Sequence, residues 1–265
     1  MFMEVRSRYS YVWQYMLTNF QSAMEYRASF LSQLVFMFLN NFMLLFFWWV
    51  LFEQIDALNG WGFQEIMILY AISAGSFSFQ ALVFGASFKI SHIIANGQLD
   101  YFLALPKPPL LHLLLSSSSA SAWGDLLFSI VIYSWGINGA WQQLIWYPIF
   151  IVTGGLVMTF YAVIVHSFSF WLGHSGSFGS QLYEALLTFS LYPEEIFGGI
   201  TRIILYTAIP AGFVSYLPVR LLSTQNPWLF LASVVFTVCF GLCARFVFYR
   251  GLVRYESGNL VVVKV

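Results

Sequence analysis

The sequence predicts an all-α integral membrane protein: six transmembrane helices, an amphipathic helix before the first span, and a re-entrant helical hairpin on the outer side between spans five and six. Three observations predict it. Of 265 residues, 60% are hydrophobic and 8% charged, whereas soluble domains carry about 25% charged residues. Long apolar runs recur at lengths suited to a bilayer core about 30 Å thick, which takes roughly 20 helical residues. Lys and Arg concentrate in alternate connecting segments, as in cytoplasmic loops.

Residues 1–27 carry Glu4, Arg6, Arg8, Glu25 and Arg27 and lack the short apolar core of a cleavable secretion signal. Tyr9, Val12, Trp13, Met16, Phe20 and Ala23 recur at helical spacing, which predicts a helix lying along the membrane surface or an extension of the first span. Clear spans follow at residues 28–52, 61–84, 110–135, 141–171 and 227–249. The segment 175–222 is apolar but interrupted by Tyr192, Pro193, Glu194, Glu195, Gly198, Gly199 and Pro210.

With the amino terminus inside, Arg6, Arg8, Arg27, Lys89, Lys107, Arg245, Arg250, Arg254 and Lys264 fall on the cytoplasmic side. Arg202 and Arg220 fall outside, and the first outer loop carries Glu53 and Asp56. Both termini are then cytoplasmic, the span count is even, and a fifth span is expected near residues 178–191. Residues 192–225 are too apolar for a solvated loop. A re-entrant hairpin fits them, because irregular backbone at membrane depth persists only where protein or a water-filled cavity satisfies it. An ordinary seventh span is the alternative.

Polar residues inside spans are expected to face protein or water. They are Gln33, Asn40 and Asn41 in the first span, Ser73, Ser76, Ser78 and Gln80 in the second, Asp125 in the third, His166 in the fourth and Glu184 in the fifth. Asn40, Asn41, Asp125, His166 and Glu184 are the candidate pathway residues. Ala71 with Gly75, and Ala120 with Gly124, supply small residues four apart for close helix approach. The inner loop 85–109 reads as a short amphipathic helix, a Gly stop, an acidic-aromatic turn and a proline-rich restart. Its knobs Phe88, Ile94, Leu99, Tyr101 and Phe102 suit docking into a cytoplasmic partner, or a helix on the membrane surface.

Several chemistries are excluded or weak. Eleven basic and eleven acidic residues cancel, leaving no basic footprint for nucleic acid. Cys239 and Cys243, four apart in an apolar run, are expected to be packing residues, since two thiols make half a zinc site; no metal site is predicted. H-E-x-x-H and Walker A patterns are absent from the sequence. The string Gly173-His174-Ser175-Gly176 is similar to the rhomboid protease motif, but no histidine follows His174 to act as base. No catalytic residue is assigned.

The chain resembles the membrane permease subunits of type 2 ABC exporters, especially their six-span bacterial branch, over nearly its whole length. The resemblance is carried by Gly97-Gln98-Leu99-Asp100-Tyr101-Phe102-Leu103-Ala104-Leu105-Pro106, Leu111-His112 and Gly124-Asp125-Leu126. It continues through Tyr192-Pro193 with Ile196-Phe197, the run Ile209 to Tyr216 with Pro218, and Arg250-Gly251-Leu252 with Arg254-Tyr255-Glu256-Ser257. Ser116 to Ser119 and Glu194-Glu195 depart from the family pattern.

The resemblance implies one permease domain over residues 1–265: an elbow helix (1–27), spans 1–2 (28–84), a coupling loop (85–109), spans 3–4 (110–171), span 5 and a re-entrant gate (175–225), span 6 (227–249) and a cytoplasmic tail (250–265). Coupling to an ATPase would fall to Phe88, Ile94, Gly97, Gln98, Leu99, Asp100, Tyr101, Phe102, Leu105 and Pro106. The outer gate would comprise Tyr192, Pro193, Ile196, Phe197, Pro210, Phe213 and Tyr216. Implied partners are a second permease, the same chain or a sister, and two cytoplasmic ABC ATPase subunits that hold ATP and Mg; this chain binds no cofactor. The implied setting is the bacterial cytoplasmic membrane, and the implied role is export of an amphipathic or hydrophobic substrate. An ion-coupled secondary transporter using Asp125, Glu184 and His166 is the rival reading, although no internal inverted repeat is visible.

Overall fold

The computed structural model describes residues 2–256 apart from Asn59, Lys107 and His174, with side chains from Val12 onward. Lys107, His174, Ser257, Lys264 and the side chains of Glu4, Arg6, Arg8 and Tyr9, on which parts of the sequence reading rest, lie outside the described residues. Among the described residues the chain is helical and contains no strand; its one isolated β-bridge joins Leu58 and Trp61.

Helix α1 (Phe2–Met24) passes through a turn at Glu25 and Tyr26 into α2 (Arg27–Phe52). Its Trp13, Leu17, Phe20 and Met24 form a largely exposed apolar stripe, with Phe20 edge-on to Trp123 at 5.5 Å, while Tyr15 and Asn19 turn towards the bundle. Helix α3 (Phe63–Val83) opens where Glu65 Oε2 accepts the Gly62 N–H at 2.9 Å, tying off one of the free amides of its first turn. Helix α13 (Pro227–Leu252) starts with Asn226 Oδ1 accepting the Trp228 N–H at 3.0 Å and Pro227 at a position where its missing N–H costs nothing. With segment Trp141–Leu172, these make four stretches long and apolar enough to cross a membrane: Arg27–Phe52, Phe63–Val83, Trp141–Leu172 and Pro227–Leu252.

The expected third span is not one helix. It divides into α6 (Pro109–Leu115) and α7 (Ala122–Gly136), separated by residues 116–121. The serine run explains the break, because hydroxyls offer the backbone local alternatives to the helical ladder. Ser116 Oγ donates to Leu113 O at 2.7 Å, Ser119 N–H donates across to Ala81 O at 3.0 Å, and Asn19 on α1 caps the freed Leu115 carbonyl at 3.1 Å. The fifth expected span is α10 (Gly176–Ser190), 15 residues, or about 22 Å of helix. α7 has the same 15 residues, so neither alone matches a core of about 30 Å.

Between α3 and α6 the inner loop forms a 3₁₀ turn (Gly85–Lys89), α4 (Ile90–Ala95) and α5 (Leu99–Leu103). Within Trp141–Leu172, a 3₁₀ turn leads into α8 (Trp146–Ser167) and α9 (Ser169–Leu172). After α10 come α11 (Gly199–Ile204), a π-helical turn (Gly212–Tyr216) and α12 (Leu217–Thr224).

Helix α3 is the centre of the bundle, packed against α7 and α8, with 78% of its span buried against 17% for α2 and 11% for α13. Small residues allow this. A Cβ at Gly155 would lie 2.7 Å from the Ser76 carbonyl oxygen, and one at Gly75 would lie 2.6 Å from Ile151. At Gly124 a Cβ would come within 2.5 Å of Leu34 O, so α7 touches the α2 backbone there. One end of the bundle gathers Trp48 on Tyr192 (5.7 Å), Trp146 on Phe230 (5.6 Å) and Gln64 Nε2 on Gly136 O (2.6 Å). At the other end a separate core joins Ile90, Ile93, Ile94, Leu99 and Phe102 of the inner loop to Leu113, Val163, Phe170, Ala244 and Phe248.

Candidate functional site

Two adjoining cavities lie along α10 with α3 as their back wall, the first in the groove between α2 and α10 and the second between α8 and α10. The first, of 530 Å³, is lined by Met37, Asn40, Asn41, Met43, Phe47, Tyr70, Ser73, Asp125, Met158 and Leu191, among others. The second, of 370 Å³, is lined by Ala81, Phe88, Ser119, His166, Ser180, Tyr183 and Glu184. Phe77 and Leu187 line both, and so form the partition between them.

All five pathway candidates therefore line one of the two cavities: Asn40, Asn41 and Asp125 the first, His166 and Glu184 the second. Asn41 Nδ2 donates to Asp125 Oδ1 at 2.6 Å, and Tyr70 OH donates to Asn41 Oδ1 at 2.9 Å, knitting α2, α3 and α7 together. Asp125 lies in the first turn of α7, where the helix dipole favours a carboxylate. Its second oxygen is buried without a hydrogen-bond partner. In the second cavity Tyr183 OH donates to Gln80 Oε1 at 2.6 Å, and Gln80 Nε2 donates to Ser87 Oγ at 2.9 Å. His166 is buried with Nδ1 unpartnered, against Gly179 of α10. Gln33 stays outside both cavities and donates to Ser29 Oγ at 3.1 Å on its own helix.

The open side of the groove is polar. Asn40 on α2 and Ser177, Ser180, Gln181, Glu184 and Thr188 on α10 are exposed, recurring at three- and four-residue steps along α10. Sequence reading found Asn40 and Glu184 but missed the rest of that stripe. It also missed Tyr70 and Tyr183, whose hydroxyls close the two networks; a tyrosine in an apolar run gives no signal of which polar group it meets.

At the far end, the structure corrects the picture of the inner loop as a row of projecting knobs. Ile94, Leu99 and Phe102 are buried in the chain's own core, and Phe88 packs on Tyr183 at 5.2 Å. Tyr101 is the aromatic left outward, 66% exposed, with Gln98, Leu103, Ala104 and Pro106 exposed around it. Gly97 takes φ +67, the left-handed turn that ends α4 and starts α5. Leu105 is half-buried, and Asp100 lies beside Tyr255 from the chain's last described turn. Burial, then the Asp100 carboxyl, push the Tyr255 phenol up to about 12, and Tyr255 also meets Phe170 edge-on at 6.3 Å.

The opposite end carries a charge cluster. Glu194 is fully buried and is bound by Arg202, Arg220 and Tyr206. Glu195 lies 3.5 Å from Arg220. The two arginines that break the basic-residue pattern are thus neutralised by the two glutamates that break the family pattern. Of the gate candidates, Pro193, Pro210 and Tyr216 are buried, Ile196 is exposed, and Tyr192 packs on Trp48. Phe197 meets Phe189 at 5.2 Å, Phe213 stacks on Phe236 at 3.5 Å, and Tyr216 OH donates to Phe189 O at 2.5 Å. The π-helical turn at Gly212–Tyr216 brings irregular backbone against α8: a Cβ at Gly154 would lie 3.3 Å from Val214 O.

Cys239 and Cys243, expected to be packing residues, are free and exposed on α13. Among the described residues no group of His, Cys, Asp and Glu could hold a metal ion.

No curated protein and no solved structure matches the chain. The family described as ABC-2 family transporter protein matches residues 38–258. That range takes in α3 through α13, both cavities, the inner loop and the charge cluster, so the chain belongs to the ABC-2 transporter family and is a membrane subunit of an ABC transporter.

Proposed function

We propose that this chain is the permease subunit of an ATP-driven exporter, and that the α2–α10 groove is one half of its substrate path. The observation that carries this reading is the polar stripe on the open side of the groove. Exposed Asn40, Ser180, Gln181, Glu184 and Thr188 stand beside exposed apolar residues of the same helices, such as Phe36, Met43, Phe47 and Phe178. A charged residue facing lipid at mid-bilayer costs at least about 2.5 kcal/mol. Water or a second permease covers that stripe at lower cost, and a second permease encloses the groove as a channel.

In this arrangement the chain crosses the membrane six times with both termini cytoplasmic, using α6–α7 together as the third crossing and α10 as the fifth. α1 is the elbow helix, and residues 192–225 re-enter from the outer side, with the Glu194–Arg202–Arg220 cluster at the gate. Membership of the ABC-2 family implies an ABC ATPase partner. Two ATPases, holding ATP and Mg, sit beneath the inner loop. Their closure presses on the exposed Gln98–Pro106 surface, and the buried Ile94, Leu99 and Phe102 pass the movement to α8 and α13. The ATP-bound state must favour the outward-open groove by differential contacts. Methionine- and aromatic-rich walls with a few polar groups suit an amphipathic or hydrophobic substrate.

Affinity purification of the tagged chain in mild detergent tests the assembly. An ABC ATPase in the eluate, with a second permease, supports it. A folded chain that reproducibly purifies alone contradicts it.

A further inference from the structure

A shallow groove of 550 Å³ on the outer side of α13 is lined by Leu242, Arg245, Phe246, Tyr249, Arg250 and Val253. It belongs to neither cavity described above. Only 11% of the α13 span is buried, so this face looks out of the bundle. The groove's own Leu242 and Phe246, and Val235 and Val238 earlier on the helix, are exposed and apolar.

Two arginines on such a face need an explanation. The ion pairs among the described residues all use Arg202 and Arg220, with Glu194 and Glu195; none involves Arg245 or Arg250. The Arg245 guanidinium lies over the Tyr249 ring, 5.3 Å from its centroid, which holds the charge in place without neutralising it. α13 has 26 residues, about 39 Å of helix, so one end projects beyond a core of about 30 Å. Arg245 and Arg250 occupy the last two turns, where an apolar stem lies along the acyl chains and the charged head reaches the headgroup layer.

We propose that this groove binds an anionic phospholipid. The two guanidinium groups hold its phosphate, and the acyl chains run along Leu242, Phe246 and Val238. The charge of the site selects this occupant: a zwitterionic lipid offers the arginines no net counter-charge, and basic groups at a membrane surface favour anionic headgroups by roughly fivefold each. The inference needs only that α13 spans the bilayer, and it holds whether or not the chain exports anything.

Cys243 lies beside the groove and Cys239 one turn away, so a reporter is already in place. The full chain carrying Cys239→Ser is labelled at Cys243 with a small fluorophore and reconstituted in phosphatidylcholine vesicles. Quenching by brominated phosphatidylglycerol is compared with quenching by brominated phosphatidylcholine. Phosphatidylglycerol is expected to quench several-fold more effectively, while a label on exposed Ile130→Cys of α7, with both native cysteines replaced, shows near equality. Arg245→Gln with Arg250→Gln is expected to abolish the preference, and Arg245→Lys with Arg250→Lys to retain it. Equal quenching by both lipids at Cys243, a preference that survives the double glutamine variant, or a label shielded from both lipids would each overturn the proposal.

Discussion

Asn41 Nδ2 lies 2.6 Å from Asp125 Oδ1, joining the sparsely buried helix α2 to the start of α7. Asn41 spends its other hydrogen on Met37 O at 3.0 Å and accepts from Tyr70, so its hydrogen-bonding capacity is nearly filled. Among the described residues Asn41 is the side chain that hydrogen-bonds Asp125, and this contact, with the close approach at Gly124, holds α2 against α7.

Asn41→Leu is therefore expected to cost roughly 1–3 kcal/mol, because it strands a buried carboxyl. The double variant Asn41→Leu, Asp125→Leu should recover most of that loss, since both polar partners are then gone. Unfolding in mixed micelles measures both. A double variant as unstable as the sum of the single ones would show that the two side chains do not act as a pair.

Glu194 is fully buried between two arginines that are each about 40% exposed. Glu194→Ala leaves Tyr206 without its acceptor and the two guanidinium groups with Glu195 alone, and is expected to cost roughly 1–3 kcal/mol, after allowing for the arginines' access to solvent. Arg202→Ala should cost less, because Arg220 still neutralises the carboxylate. Thermal unfolding of the two variants in detergent checks the order.

Glycine positions separate packing from chance. Gly155→Val puts carbon against the Ser76 carbonyl and Phe79 and is expected to cost about 1–3 kcal/mol. At Gly198 no atom lies within 4 Å of an added Cβ, and its φ of −112 suits any residue, so Gly198→Ala should fall within about 0.5 kcal/mol of neutral.

The inner loop yields opposite phenotypes at adjacent residues. Phe102 is 7% exposed, so Phe102→Ala is expected to act through stability, by about 3–5 kcal/mol. Tyr101 is 66% exposed, so Tyr101→Ala should leave the melting temperature unchanged and lower transport for a given rate of ATP hydrolysis. Melting curves alongside paired transport and ATPase assays distinguish the two.

The apolar runs made most of the helices legible, and the polar residues within them pointed to the groove. Hydropathy could not show that Ser116 to Ser119 break a helix, because the flanking Leu110 to Leu115 and Leu126 to Ile132 keep the run apolar throughout. Nor could it say whether Leu99 and Phe102 face a partner or their own α8 and α13: an aromatic at helical spacing is equally suited to both. Glu194 and Glu195 read as an interruption of a span until folding placed Arg202 and Arg220 against them. Cys243 read as a packing residue because its run is apolar, and its exposure emerges only from the packing of α12 and α8 on one side of α13.

The central claim is that the α2–α10 groove carries substrate. The direct measurement places a single cysteine at Asn40 or Glu184, with Cys239 and Cys243 replaced by serine, in vesicles that also contain the partner ATPase. Reaction with a membrane-impermeant thiol reagent added from the outer side is followed with ADP and with a non-hydrolysed ATP analogue. The account predicts that both sites react, that the rate changes with the nucleotide, and that modification stops transport. Labelling no faster than at lipid-facing Ile130→Cys in either state, with transport intact, would contradict it.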